Sequence, residues 1–198
     1  ELIVGWQSGV SHHKLEQLEQ LGLRVFYSEP RIPEDIATSL ERLGLLAGTE
    51  SRANQAADRF RQQVNELRRR YSGLTPVSVF YQIWNSPLQT INGEHLISRG
   101  LALCGGVNIF AGEPGLAFQA SRESVIVADP DALFAPGLPD AADPLAAWRE
   151  WPGMRAVRNE FLYLLPADEI SRATPRFLDS LEQACKLLHN LRAREADG

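Results

Sequence analysis

Between Thr49 and Tyr71 the apolar residues Ala53, Ala56, Ala57, Phe60, Val64, Leu67 and Tyr71 recur at steps of three and four, while arginine and glutamate fill most of the intervening positions. That spacing predicts a single amphipathic helix with one buried stripe. At 1.5 Å per residue such a helix is roughly 33 Å long, enough to reach from one folded unit to another. The chain on either side therefore has to supply something for both ends to pack on, and each side carries α/β patterning.

On the amino-terminal side, Leu2 to Trp6 reads as a fully buried strand and Arg24 to Tyr27 as a second, with a helix from Lys14 to Leu21 between them. This is a βαβ unit, whose loops gather at the strand carboxyl ends. Pro33 opens a further helix with Ile36, Leu40, Leu43 and Leu45 near helical spacing, and Gly48 stops it. Residues 1–48 thus form a partial α/β lobe. A buried-type strand at the very start implies missing neighbours, and the chain opens at Glu1 without a methionine, so a processed or trimmed chain is expected.

Beyond the helix of residues 49–72, residues 73–198 read as a second α/β lobe. Pro76 to Trp84 alternates as a strand, and Asn85-Ser86-Pro87 is a turn. His95 to Cys104 is a helix ended by Gly105-Gly106. Ser121 caps a helix from Arg122 to Ala128 that Asp129-Pro130 terminates. Ala132 to Ala135 and Phe161 to Pro166 are strands, and Gly115 to Ala120 and Pro136 to Pro144 are loops. Thr174-Pro175 are N-cap and N1 of a last helix with Phe177, Leu181, Ala184, Leu188 and Leu191 inward.

Composition narrows the function. The 198 residues carry a formal net charge of -5 with both signs mixed, unlike the basic stripe of a nucleic-acid surface. No apolar run is long enough to span a membrane. Gly5 and Gly9 bracket a turn of nucleophile-elbow length, but its centre is Gln7 and Ser8 is one place late, which argues against a serine hydrolase. His12 and His13 are adjacent, so on a helix they diverge by about 100° and do not form a paired metal site. Dinucleotide and Walker fingerprints are absent from the sequence. Cys104 and Cys185 are both placed to be buried, either as free thiols or as a disulfide; spacing alone does not choose.

What remains is a set of aromatics at element ends: Trp6 and Trp84 after strands, and Phe118 in the loop Gly115 to Ala120. Ligands of α/β sheets collect outside strand carboxyl ends, so two lobes with facing aromatics describe a clamp for a large ligand of few charges.

The turn V-G-W-Q-S-G, Y-S-E-P at Tyr27 to Pro30, the long helix, V-F-Y-Q-I-W, I-N-G-E-H-L-I-S, L-C-G-G-V-N-I-F-A and S-R-A-T-P-R at Ser171 to Arg176 together resemble the periplasmic cobalamin-binding proteins of ABC importers. The resemblance runs along the whole chain in order, with roughly the first third of a typical member absent. It implies two α/β lobes joined by one rigid helix, of the helical-backbone class of substrate-binding proteins. It also implies a non-enzymatic function: capture of cobalamin or a related corrinoid in the periplasm and delivery to an importer permease. No resident cofactor or metal is implied.

By that resemblance Trp6 packs on the ligand, with Gln7, Ser8 and Gly9 as its turn. Tyr27 closes the second strand, Gln82, Trp84 and Asn85 end the second-lobe strand, Phe118 and Gln119 face the cleft, and Asp168, Glu169 and Arg172 form the later loop. Cys104 and Cys185 are implied to pair. Two departures stand out. The glutamates with which the family docks on its permease fall on His12 and Ser171, leaving Glu16, Asp168 and Glu169 as the neighbouring carboxylates. Glu169 also stands where a relative has an aromatic. Alternatives are an iron siderophore, served by Arg172 and Arg176, haem, with Tyr27 as axial ligand, and a degenerate interaction module that presents the Leu2 to Val4 edge to a partner.

Overall fold

The computed structural model describes residues 2–6 and 12–196, without the side chains of residues 12 and 195. In the first lobe β1 (Leu2–Trp6) and β2 (Arg24–Ser28) pair in parallel across the connecting helix α1 (His12–Gln20), in the register Leu2 opposite Arg24 to Trp6 opposite Ser28. The helix sits tightly on one face of this ribbon: a Cβ on Gly5 would lie 2.8 Å from a Leu15 methyl. With period-2 alternation, Gly5 and Ile3 then face α1 while Leu2, Val4 and Trp6 share the other face. Those three are 41%, 52% and 51% exposed, so β1 is half-covered rather than fully buried as its apolar run suggested.

α2 (Pro33–Ala47) starts with proline in its first turn, and the Asp35 carboxylate accepts the backbone N–H groups of Arg31 and Ile32 at 2.8 and 3.1 Å. Gly48 ends it in the left-handed conformation at φ 67°. Ile36 is buried, but Leu45 is 65% exposed. Nine residues separate them, about two and a half turns, which carries Leu45 to the opposite side. α3 (Glu50–Tyr71) buries Ala57, Phe60, Val64, Leu67 and Tyr71 as its spacing predicted. It packs along α2, where Arg61 forks onto Glu41 at 2.5 and 2.8 Å and Arg68 pairs with Glu34.

The second lobe is built on a six-stranded sheet. β3 (Val77–Asn85) turns through Ser86-Pro87 into β4 (Leu88–Ile91), followed by α4 (Leu96–Ala102), β5 (Gly106–Asn108), β6 (Ala117–Gln119), α5 (Arg122–Ala128), β7 (Ala132–Gly137), a 3-10 turn at Ala146–Glu150, α6 (Arg155–Arg158), β8 (Leu162–Pro166), α7 (Ala167–Ile170) and α8 (Phe177–Ala196). The order is β6-β4-β3-β7-β8; β3, β7 and β8 are parallel, β4 is antiparallel to β3, and β6 is antiparallel to β4. β3 is long enough to be shared, with β5 parallel to its first three residues and β4 against its last four.

One side of this sheet carries the core formed by α3, α4 and α8, with Val77, Val79 and Tyr81 from β3. The other is covered by α5, the 3-10 turn and α6 around Phe80, Leu133 and Trp148. Cys104 and Cys185 form a disulfide with Cα atoms 5.3 Å apart and both residues fully buried. Residues 115–120, expected as a loop, contain β6, and α8 starts at Phe177 after a turn in which the Phe177 N–H reaches the Thr174 carbonyl at 2.9 Å, two residues later than the Thr-Pro signal placed it.

Candidate binding site at the strand carboxyl ends

Trp84 lies at the carboxyl end of β3, 62% exposed, with its indole N–H donating to the Ser86 carbonyl at 3.0 Å. A register irregularity between Gln82 and Trp84 sets Trp84 opposite Gln89 on β4, and Gln89 is opposite Gln119 on β6. Directly paired residues of antiparallel strands point to one face. The result is a row of one indole and two carboxamides, all exposed. Gln119 was anticipated and Gln89 was not: L-Q-T-I is too short and irregular a pattern to single it out, and only the register of β4 puts Gln89 beside the tryptophan.

Other anticipated residues go elsewhere. Gln82 is withdrawn from the site. It is 1% exposed, its amide N–H donates to the Pro144 carbonyl at 2.8 Å, and its oxygen accepts from the Trp148 indole at 2.8 Å. The irregularity that turns Trp84 outward leaves Gln82 on the Phe80 side, inside the lobe. Phe118 alternates away from the exposed row and meets Phe110 edge-on at 5.7 Å, so it supports the wall from behind. Tyr27 pairs with Gly5 on the α1 side of the first ribbon, opposite Trp6. Desolvation, then its hydrogen bond to Glu19 and the charges of Glu19 and Glu16, raise its phenol pKa, so its hydroxyl faces the carboxylates of α1.

Trp6 closes β1 on the exposed face, and Gln7, Ser8 and Gly9 lie outside the described residues. Asn85 is exposed, with its side-chain oxygen accepting from Arg122 at 3.3 Å. At the end of β8, Asp168 pairs with Arg176 at 3.0 Å. Glu169 on α7 is half-buried and Arg172 is exposed. The loop after β2 reaches the start of α4, where His95 Nδ1 accepts the Ile97 N–H at 3.2 Å. Burial lowers the His95 pKa to about 4, with the Glu29 charge opposing and Arg31 adding to the shift.

Among the described residues there is no cluster of His, Cys, Asp and Glu able to hold a metal ion. A cavity of about 300 Å³ lined by Ile126, Asp129, Trp151 and Met154 lies at the opposite end of the lobe, where Asp129 precedes β7. It has no part in the site at the carboxyl ends.

Residues 1–169 match the model of a family of periplasmic binding proteins. The chain belongs to that family. The vitamin B12-binding protein of Vibrio cholerae is 35% identical over 189 residues, which is 95% of this chain and 68% of that relative. The crystal structure of the periplasmic vitamin B12-binding protein BtuF of Vibrio cholerae superposes with a TM-score of 0.86 at 34% identity, covering 96% of this chain and 74% of the other. The periplasmic haem-binding protein RhuT of Roseiflexus shares the fold, with a TM-score of 0.80 at 18% identity over 96% of this chain and 76% of its own. As in those periplasmic binding proteins, the chain combines α/β lobes with a long helix; its Trp84, Gln89 and Gln119 row is the local feature from which a ligand chemistry can be argued.

Proposed function

We propose that this periplasmic binding protein captures cobalamin or a related corrinoid in the periplasm and hands it to the permease of an ABC importer. In this reading residues 1–48 and 73–198 are the two lobes and residues 49–72 the helix that joins them. The observation that supports it best is the exposed row of Trp84, Gln89 and Gln119. A corrin has apolar faces and a fringe of amide arms. An indole supplies flat apolar contact, and a carboxamide both donates to and accepts from an amide, so the row matches the ligand's chemistry group by group. Trp6 supplies the matching apolar surface from the first lobe. The similarity to named vitamin B12-binding proteins supports the same choice.

The siderophore and haem readings have less behind them. Arg176 is held by Asp168, which offsets its charge, and Tyr27 is directed at α1. A different reading does draw on a specific observation: Leu2 and Val4 are exposed on the same face as Trp6, which favours a protein partner or self-association there. Light scattering that gives a monomer at high concentration would remove the self-association version.

The deciding experiment is a titration with cyanocobalamin followed by tryptophan fluorescence and calorimetry. Saturable 1:1 binding, weakened about tenfold or more in W84A and in Q89A, is expected. Absence of binding, or binding indifferent to both substitutions, would sink the corrinoid reading.

A further inference from the structure

Arg122 stands at the start of α5, against the tip of the β3–β4 hairpin, and is half-buried. Its guanidinium carbon lies 5.6 Å from the centroid of the Trp148 ring. Trp148 is itself 1% exposed and fixed by the buried carboxamide of Gln82 at 2.8 Å. The guanidinium is thus held on an immobile aromatic platform, and among the described residues it pairs with no carboxylate. Its hydrogen bond goes to the side-chain oxygen of Asn85 at 3.3 Å.

That bond occupies one lone pair of the Asn85 oxygen, and the groups around it are chiefly donors: the Asn85 amide N–H2 and the remaining guanidinium N–H groups. A donor-rich pair with a full positive charge suits an anionic oxygen-rich group. The location limits it further. Trp84 and Asn85 are consecutive in β3 and point to opposite faces of the hairpin, so a flat ring lying over Trp84 does not itself meet Arg122. A pendant arm that wraps the hairpin tip does.

We infer that Arg122, together with Asn85, is a specificity-determining site for the anionic phosphodiester in the nucleotide loop that hangs from the cobalamin macrocycle. This rests on the corrinoid reading above and narrows it: complete corrinoids carrying the loop are preferred over the bare macrocycle.

The test uses the full chain in calorimetric titrations with two ligands, cyanocobalamin and dicyanocobinamide, the latter having the macrocycle without the nucleotide loop. R122A and N85D are compared with wild type; N85D keeps an acceptor for the arginine but neutralises its charge. Both substitutions are expected to weaken cyanocobalamin binding about tenfold, with the loss on dicyanocobinamide within about twofold, and R122K is expected to fall between wild type and R122A. Equal losses on the two ligands, or no loss on either, would overturn the assignment while leaving the corrinoid reading standing. Wild type that binds neither ligand would overturn both together. If R122A does not fold, the ratio measured for N85D decides.

Discussion

The indole N–H of Trp148 and the carboxamide oxygen of Gln82 are joined at 2.8 Å between two side chains that are each 1% exposed. The other end of the same carboxamide holds the Pro144 carbonyl, so one buried amide ties the centre of β3 to the loop after β7 and to the 3-10 turn. Replacing Gln82 by alanine leaves a buried indole N–H and a carbonyl without partners and opens a void. We expect Q82A to lower unfolding stability by about 2–4 kcal/mol, measured by urea denaturation. An effect below about 0.5 kcal/mol would mean that the contact carries little.

His95 gives the stability a dependence on pH. Its folded-state pKa is lowered to about 4, mainly by burial, from an ordinary value of 6.5. The unfolded chain therefore binds the proton more readily, and the neutral imidazole's contribution is complete above about pH 6.5. It declines as pH falls through that window and is gone below about 4. The expected loss is about 2–3 kcal/mol between pH 7 and pH 4, beyond that of the carboxylates. Urea midpoints of wild type and H95N at intervals across this range provide the check, asparagine being retained as a helix cap. Identical pH profiles would show that His95 does not titrate in this way.

Gly44 marks a close approach of α2 and α3. A Cβ there would lie 2.1 Å from the Cβ of Ala53, a separation no packed pair tolerates. Alanine gains about 1 kcal/mol of helix propensity over glycine, but forcing these helices apart is expected to exceed that gain. G44A should therefore lower the thermal midpoint. A stabilised variant would show that the two helices part without penalty.

The disulfide ties α8 to the end of α4 across 81 residues of sequence. Removing it as C104A/C185A is expected to destabilise the protein by about 2–5 kcal/mol, read from denaturant midpoints against the oxidised wild type. A double variant as stable as wild type would assign the bond no thermodynamic role.

Much of the frame was legible from residue order. The helix from Glu50 to Tyr71 has a stripe whose period has one solution, and its buried residues are those the spacing named. α5 starts after Ser121, whose hydroxyl accepts the Ser124 N–H at 3.0 Å, and ends at Asp129, because capping is a local transaction between neighbours. Strands of three residues, β5 and β6, and the four-residue helices α6 and α7 are too short to carry a period, so the sequence is silent about them.

The site was legible only in part, for a different reason. Trp84 stood out because it ends a strand with clear alternation, and Gln119 was named through the family resemblance, whereas Gln89 joins them through strand register, a relation between residues that alternation along one strand does not contain. The same register irregularity decided that Gln82 turns inward to Trp148 while Trp84 turns out, and the pairing of β1 with β2 decided that Tyr27 faces α1 while Trp6 faces away from it. Local periodicity and capping chemistry, set by residues within one or two turns of each other, determined the helices and long strands of this protein. Which side chain of each strand is left exposed was decided by the tertiary structure, since a face becomes inside or outside only when another element packs upon it.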